Sequence, residues 1–270
     1  MKKTRGIMKI QRDLFLNSVR VRRFVQFFGK IILSVDFFLR YSSIIDNIDD
    51  YDRKVLDVGS GALGIGYALH GRKIVCVDIS DVVKTALGEK IKASATNLPF
   101  KDGAFDVSVS ADMLEHVLGG FREKVCSELK RVSSRKVLLH CPIGEQSLKT
   151  DLRLLATLHK IFGSYHENIL EHIDSGTVTF SFLRASFSGC SFKPTLNCNV
   201  LYVLGVIGSL PIINLLTGIF YLLIIKRFDG KPPYYGYMIS FVASKKPTIF
   251  RTDLGKKPHM LQRWYESEPT

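Results

Sequence analysis

The stretch Lys54 to Asp78 constrains this chain more than any other, because it orders apolar and glycine residues as strand, tight turn, helix and second strand. Val55, Leu56 and Val58 form a short apolar run that stops at Gly59-Ser60-Gly61. The next apolar residues, Leu63, Ile65, Ala68 and Leu69, recur at helical spacing, and Gly71 closes the helix they predict. Ile74 to Val77 form a second buried strand that ends on Asp78.

Such a turn has a specific use. Residues without a Cβ let the backbone bend sharply and let a ligand rest against main-chain N–H groups at a helix N-terminus. Asp78 lies 19 residues after Gly59, where a carboxylate at the end of the second strand can accept hydrogen bonds from both ribose hydroxyls of an adenosine ligand. Gly59-x-Gly61-x-x-Gly64 taken alone fits NAD and S-adenosylmethionine equally. Asp57 separates them: an acid two residues before the first glycine works against an anionic pyrophosphate and suits the sulfonium and amino group of S-adenosylmethionine.

With Asp57 included, the stretch resembles motif I of the class I S-adenosylmethionine-dependent methyltransferases. The segment from Ala95 to Val117, containing Leu98-Pro-Phe, Phe105-Asp-Val and Leu114-Glu-His-Val, is similar to the run around strand four in the small-molecule branch called type 11. The resemblance covers roughly residues 50 to 195. It implies an α/β fold: a Rossmann-like seven-stranded sheet with the last strand antiparallel and helices on both faces. It also implies S-adenosyl-L-methionine as cofactor, held by Asp57, Gly59, Ser60, Gly61, Asp78, Ile79, Ser94, Ala95, Ser110 and Ala111. In the family the third strand tends to end in Gly-Asp-Ala, with the acid on the adenine amino group; here Ala93-Ser94-Ala95 puts a serine in that place. A serine hydroxyl and the Ala95 N–H still offer polar contacts to a ring edge.

Chain length suits one sizeable α/β domain with additions. The cysteines, Cys76, Cys126, Cys141, Cys190 and Cys198, contain no Cys-x-x-Cys pair and read as reduced thiols. Cys141-Pro142 follows strand five and reads as structural. The net charge of +13 divides unevenly: residues 1–40 hold ten Lys/Arg against two acids, residues 41–225 nineteen against nineteen, and residues 226–270 nine against four. The excess positive charge therefore lies on the flanks, which suggests an anionic surface met by the ends of the chain.

Three regions follow. Residues 1–50 read as a basic amphipathic helical extension, either covering the sheet and ligand pocket or lying on anionic lipid. Residues 51–246 form the methyltransferase domain, and residues 247–270 a basic tail. Within the domain, strands are expected at 91–95, 105–110, 136–140, 192–200 and 235–244. Helices are expected from Asp81 toward Gly88, from Leu114 to Arg131, over Leu148 to Lys160 and over Val178 to Phe187. Between strands six and seven, Leu201 to Ile225 is a run of 25 residues with no charge. As one helix it would reach about 37 Å, enough for a bilayer core of roughly 30 Å. Strands six and seven must share a sheet on one side of the membrane, and Pro211 offers a break. The reading is a hydrophobic helical hairpin dipping into one leaflet, or packing on protein, with Lys226 and Arg227 at the headgroups.

The polar residues beside the implied pocket are His116, after strand four, and the cluster Tyr165 to Gly176 with His166, Glu171 and His172. Carboxyl and imidazole groups there could orient a nucleophile and take its proton, so His116, His166 and His172 are the catalytic candidates. No recognisable metal-ligand spacing occurs, and no metal is expected. The resemblance implies direct methyl displacement onto a small-molecule acceptor; the hydrophobic run 201–225 beside such a pocket suggests a lipid or lipid-linked acceptor at the cytoplasmic side of a membrane. Alternatives are a nucleic-acid or protein methyltransferase using the basic flanks, or a catalytically silent protein with the same fold. Nucleic acid is disfavoured, because Ser110-Ala111-Asp112-Met113 stands where Asn/Asp-Pro-Pro-Tyr would follow strand four.

Overall fold

The computed structural model describes residues 35–61, 64–81, 87–163, 167–208 and 231–243. Its apolar runs become strands buried on both faces, as in any parallel sheet covered on both sides. β1 (Lys54–Val58), β2 (Lys73–Asp78), β4 (Phe105–Ala111) and β5 (Ser133–Pro142) are buried along almost their whole length. β3 (Glu89–Lys92) is a short charged edge strand. With β6 (Ser191–Asn197) and β7 (Tyr234–Val242) they form one seven-stranded sheet in the order β3-β2-β1-β4-β5-β7-β6. β7 runs antiparallel to both of its neighbours, and the other pairings are parallel.

Alternate residues of each strand feed opposite faces. Val55, Ile74, Cys76, Val107, Val109 and Leu138 pack with Phe37, Tyr41 and Ile44 of α1 (Val35–Ile45). Leu56, Val58, Val75, Val77 and Leu139 pack with Val125 and Leu129 of α2 (Gly119–Val132) and Leu183 of α5 (Phe180–Ser186). Between them in the chain come α3 (Gly144–Phe162) and α4 (Glu167–Ser175); α6 (Cys198–Gly208) follows β6.

Four local expectations change. The helix expected over Leu63 to Leu69 is, within the described residues, a single 3-10 turn, Ile65–Tyr67. The reason is a close approach: a Cβ on Gly66 would lie 1.9 Å from the Leu87 carbonyl oxygen, so this backbone is pressed onto the next connection. The third strand lies at Glu89–Lys92, because its pairing with β2 ends at Asp78 opposite Lys92 and leaves Ser94 and Ala95 beyond the sheet. The helix expected from Leu114 to Arg131 is split into a 3-10 turn, Leu114–His116, and α2. Arg122 stabilises the split by donating from Nε to the Val117 carbonyl at 2.8 Å and the Leu114 carbonyl at 3.1 Å. The polar cluster after α3 includes a regular helix, α4, rather than loop alone.

The helix expected after Asp81 and most of the apolar run 201–225 lie outside the described residues. The first part of that run belongs to α6, where Leu204 is buried and a Cβ on Gly205 would meet Leu154 of α3 at 2.7 Å. Among the described residues no helix is long and apolar enough to cross a membrane.

Candidate active site

The carboxyl ends of β1, β2 and β4 meet at one edge, where open α/β sheets bind ligands. The turn after β1 is the tightest part. Gly59 has φ +74°, and a Cβ there would lie 2.3 Å from Met113 Cγ. Gly61 has φ +57° and donates its N–H to Asp78 Oδ2 at 2.9 Å. The other Asp78 oxygen accepts from Ser80 N at 2.9 Å and Ser80 Oγ at 2.7 Å. Gly59 N and Ser60 N both donate to the Val77 carbonyl, at 2.8 and 3.2 Å, which ties the turn to β2.

Asp57 lies beneath this turn and is fully buried. Its Oδ2 accepts from Ile65 N at 2.7 Å and from Tyr41 Oη at 3.0 Å. Burial pushes its carboxyl up to about 6, against the Ile65 hydrogen bond and the nearby Arg40 charge that lower it. Asp57 therefore clamps the end of the turn to α1. Of the remaining cofactor candidates, Ser60, Ser110 and Ala111 are buried and Ile79 is largely exposed. Ser94 and Ala95 are half-buried, with Ser94 Oγ 2.9 Å from Thr96 Oγ1. The Ser110 hydroxyl has no hydrogen-bond partner among the described residues.

Arg40 was not among the sequence candidates. From α1 it donates to the Ala111 carbonyl at 2.9 Å and the Gly59 carbonyl at 3.3 Å, which puts a guanidinium across the ends of β4 and β1. Its sequence signal was only a cation on an apolar-periodic helix; the target is reached 71 residues away.

The second half of the edge is built after β4. Asp112 has φ +48° and its carboxylate meets His140 Nδ1 at 2.7 Å. Burial would raise that carboxyl, but His140 holds it below its ordinary value. Glu115 is buried, and neither carboxylate oxygen has a hydrogen-bond partner among the described residues. Burial, then the Asp112 charge, pushes it well above the usual carboxylate range. α4 brings His172 across: its Nε2 is 3.1 Å from His116 Nε2 and 3.9 Å from Glu115 Oε1. His116 Nδ1 meets Glu171 Oε2 at 2.9 Å, and His172 Nδ1 faces Asp151 Oδ2 at 3.5 Å. Asp151 in turn accepts from Tyr235 Oη at 2.8 Å. Glu115, Asp151, His172 and Val178 help to line a small open cleft. His116 and His172 thus come together across 56 residues of sequence, while His166 lies outside the described residues. Cys141 is wholly buried, and burial pushes its thiol well up, which suits a structural residue.

Residues 56–141, which carry the glycine turn, Asp78, Glu115 and His116 but not His172, match the family model described as a methyltransferase domain. That segment is similar to the methyltransferase-domain family that the sequence resemblance pointed to. The chain is 32% identical over 117 residues to norajmaline N-methyltransferase from Rauvolfia serpentina, covering 37% of this chain and 39% of that protein. It therefore spans about two fifths of the length of that curated relative. Similar solved structures include YcgJ from Bacillus subtilis, with 14% identity, TM-score 0.45 and coverage of 74% of this chain and 96% of that one. Another is magnesium protoporphyrin IX methyltransferase from Synechocystis PCC 6803 with bound SAH, with 17% identity, TM-score 0.44 and coverage of 78% and 81%.

Proposed function

We propose that this protein transfers a methyl group from S-adenosyl-L-methionine to a small-molecule or lipid-linked acceptor, by direct displacement, at the cytoplasmic side of a membrane. The observation that carries the reading is the division of one sheet edge into two halves. The glycine turn with Asp78 suits an adenosine ligand, and Glu115, His116 and His172 supply polar groups beside it. Asp78 keeps lone pairs for the ribose hydroxyls, Ser94 and Ala95 stand where the adenine edge would lie, and Ile79 covers the ring. Gly59, Ser60, Gly61, Ser110 and Ala111 form the floor, and Asp57 holds that floor in shape.

In the reaction a lone pair on the acceptor forms the new bond to the methyl carbon. The carbon–sulfur pair leaves on sulfur, giving neutral S-adenosylhomocysteine, and the acceptor releases its proton. Holding the two reactants in line supplies much of the rate. His116 and His172 act on the acceptor's nucleophilic atom, and His166 is proposed to stand with them.

The membrane part rests on the sequence: basic flanks at residues 1–40 and 226–270 around a neutral core, and the uncharged run 201–225. In this arrangement residues 51–246 are the methyltransferase domain, and 1–50 and 247–270 are extensions that meet anionic headgroups. Calorimetric titration with S-adenosylmethionine, S-adenosylhomocysteine and NAD tests the cofactor. Binding of the first two near micromolar, roughly −8 kcal/mol, and none of NAD is expected; the reverse preference would sink the reading. Flotation with vesicles containing phosphatidylserine, against neutral vesicles, tests the surface.

A further inference from the structure

We propose that Glu115, His116 and His172 hold a divalent metal ion of the zinc or cobalt kind, and that its open coordination position takes a hydroxyl of the methyl acceptor. The second half of this inference rests on the methyl-transfer reading; the first half does not.

The geometry of the two imidazoles is the starting point. Each ring turns Nδ1 toward a carboxylate, His116 toward Glu171 at 2.9 Å and His172 toward Asp151 at 3.5 Å. A carboxylate against one ring nitrogen favours the proton on that nitrogen and leaves the other as a ligand. Only His116 is held this way by a hydrogen bond, since His172 Nδ1 has no hydrogen-bond partner among the described residues, and the two Nε2 atoms meet at 3.1 Å, as a single shared proton or a bound cation between them would allow. A cation there would use both Nε2 lone pairs at once. Two nitrogens on a tetrahedral zinc, with bonds of about 2.0–2.1 Å, stand roughly 3.3 Å apart, close to the separation found.

A third ligand is already in place. The Glu115 carboxyl is buried with neither oxygen hydrogen-bonded among the described residues, and a buried acid in that state either keeps its proton or gives it up to bind a cation. One ligand atom from each of Glu115, His116 and His172 falls within 4.8 Å of the others. Two imidazoles and one carboxylate suit a borderline divalent ion better than magnesium or calcium, which prefer all-oxygen sets. The surroundings also fit. Asp151 is itself fixed by Tyr235, so the carboxylate behind His172 is fixed by its own hydrogen bond. His116 and His172 are partly exposed, at 29% and 17% of their side chains, which leaves an entry path and a free face. Three protein ligands are the number that leaves a position for a non-protein oxygen. A metal held by these three residues would lower the pKa of a bound acceptor hydroxyl, so that its proton would pass to solvent as its oxygen attacked the methyl carbon.

The test is metal binding in its own right. Protein stripped with a chelator is titrated with Co²⁺ and read by visible absorption, then with Zn²⁺ by calorimetry, in the presence and absence of S-adenosylmethionine. One ion per chain with strong visible bands is expected, weakened at least tenfold in His172→Ala and Glu115→Gln and unchanged in His70→Ala, whose side chain is exposed elsewhere. Because Glu115 is buried, wild-type protein is also followed by histidine ring-proton NMR; two imidazoles shift with Zn²⁺ if the assignment holds. No saturable binding, or equal binding in His172→Ala, overturns it and leaves a shared proton between the rings. Acetohydroxamate, a two-oxygen ligand, should perturb the Co²⁺ spectrum; an unchanged spectrum overturns the open position. Metal binding without S-adenosylmethionine binding would reject the methyl-transfer reading and retain the site.

Discussion

The two halves of the sheet edge are built on opposite plans. In the glycine-turn half, residues close in sequence satisfy one another. Asp78 receives the Gly61 N–H and both Ser80 donors, and Asp57 receives the Ile65 N–H. In the other half, Glu115, His116 and His172 come from a turn and a distant helix, and the Glu115 carboxyl has no hydrogen-bond partner among the described residues. The turn of the first half is shaped before a ligand arrives, with only the Ser110 hydroxyl and spare Asp78 lone pairs left over, whereas the second half keeps a whole buried carboxyl without a hydrogen bond. A site whose atoms are all paired holds a shape; a site with buried, unpaired ligand atoms calls for something else to be bound.

The comparison can be broken from its finished side. Gly59→Ala should have the largest effect, because it forces φ +74° on an L residue and drives Cβ into Met113. The left-handed backbone costs about 1–2 kcal/mol and the overpacking about 1–3 kcal/mol, readable by urea denaturation. If the loss is under about 0.5 kcal/mol, the turn is not the rigid half.

Asp57 gives the next effect and its sign is set by burial. Its folded carboxyl lies at about 6, above the ordinary value of 3.8, so the protonated form is favoured in the folded state. The stability this confers is present below about pH 4 and is lost as pH rises through 6, by on the order of 3 kcal/mol. Asp57→Asn mimics the protonated carboxyl. The stability of wild type relative to this variant should therefore fall between pH 4 and 6 and level off above. A flat difference would mean that Asp57 is not enclosed in solution.

Asp78→Ala sharpens the comparison by separating the halves. Losing charge-assisted hydrogen bonds to the ribose is worth about 1.5–3 kcal/mol, so S-adenosylmethionine affinity should drop roughly ten- to hundredfold. His172→Ala should change it less than about threefold, under roughly 0.7 kcal/mol. Equal losses in calorimetry would show that the halves are one site. Tyr41→Phe is the smallest change. It removes one of two donors from buried Asp57 and should cost about 1 kcal/mol, with the cofactor affinity barely moved.

Much of the first half was legible in the sequence because its causes are local. The apolar runs of β1 and β2, the glycines between them and Asp78 at the strand end need only neighbouring residues to act. The short turn in place of the helix over Leu63 to Leu69 was not legible, because the Leu87 carbonyl presses on Gly66 from another connection. Nor was the break at Val117, since Arg122 makes it by folding back onto carbonyls that a continuous helix would have used.

By itself, the sequence determined the alternation of strand and connection, the glycine turn and its carboxylates, because period and backbone freedom are properties of short segments. It also named His116 and His172 as polar residues beside the pocket. Only the tertiary structure decided that their Nε2 atoms face each other beside a Glu115 that has no hydrogen-bond partner among the described residues, and that Arg40 of α1 spans the ends of β1 and β4. Those contacts join residues 56, 19 and 71 positions apart. No spacing rule links such residues, because what sets the distance between them is the packing of helices onto a finished sheet.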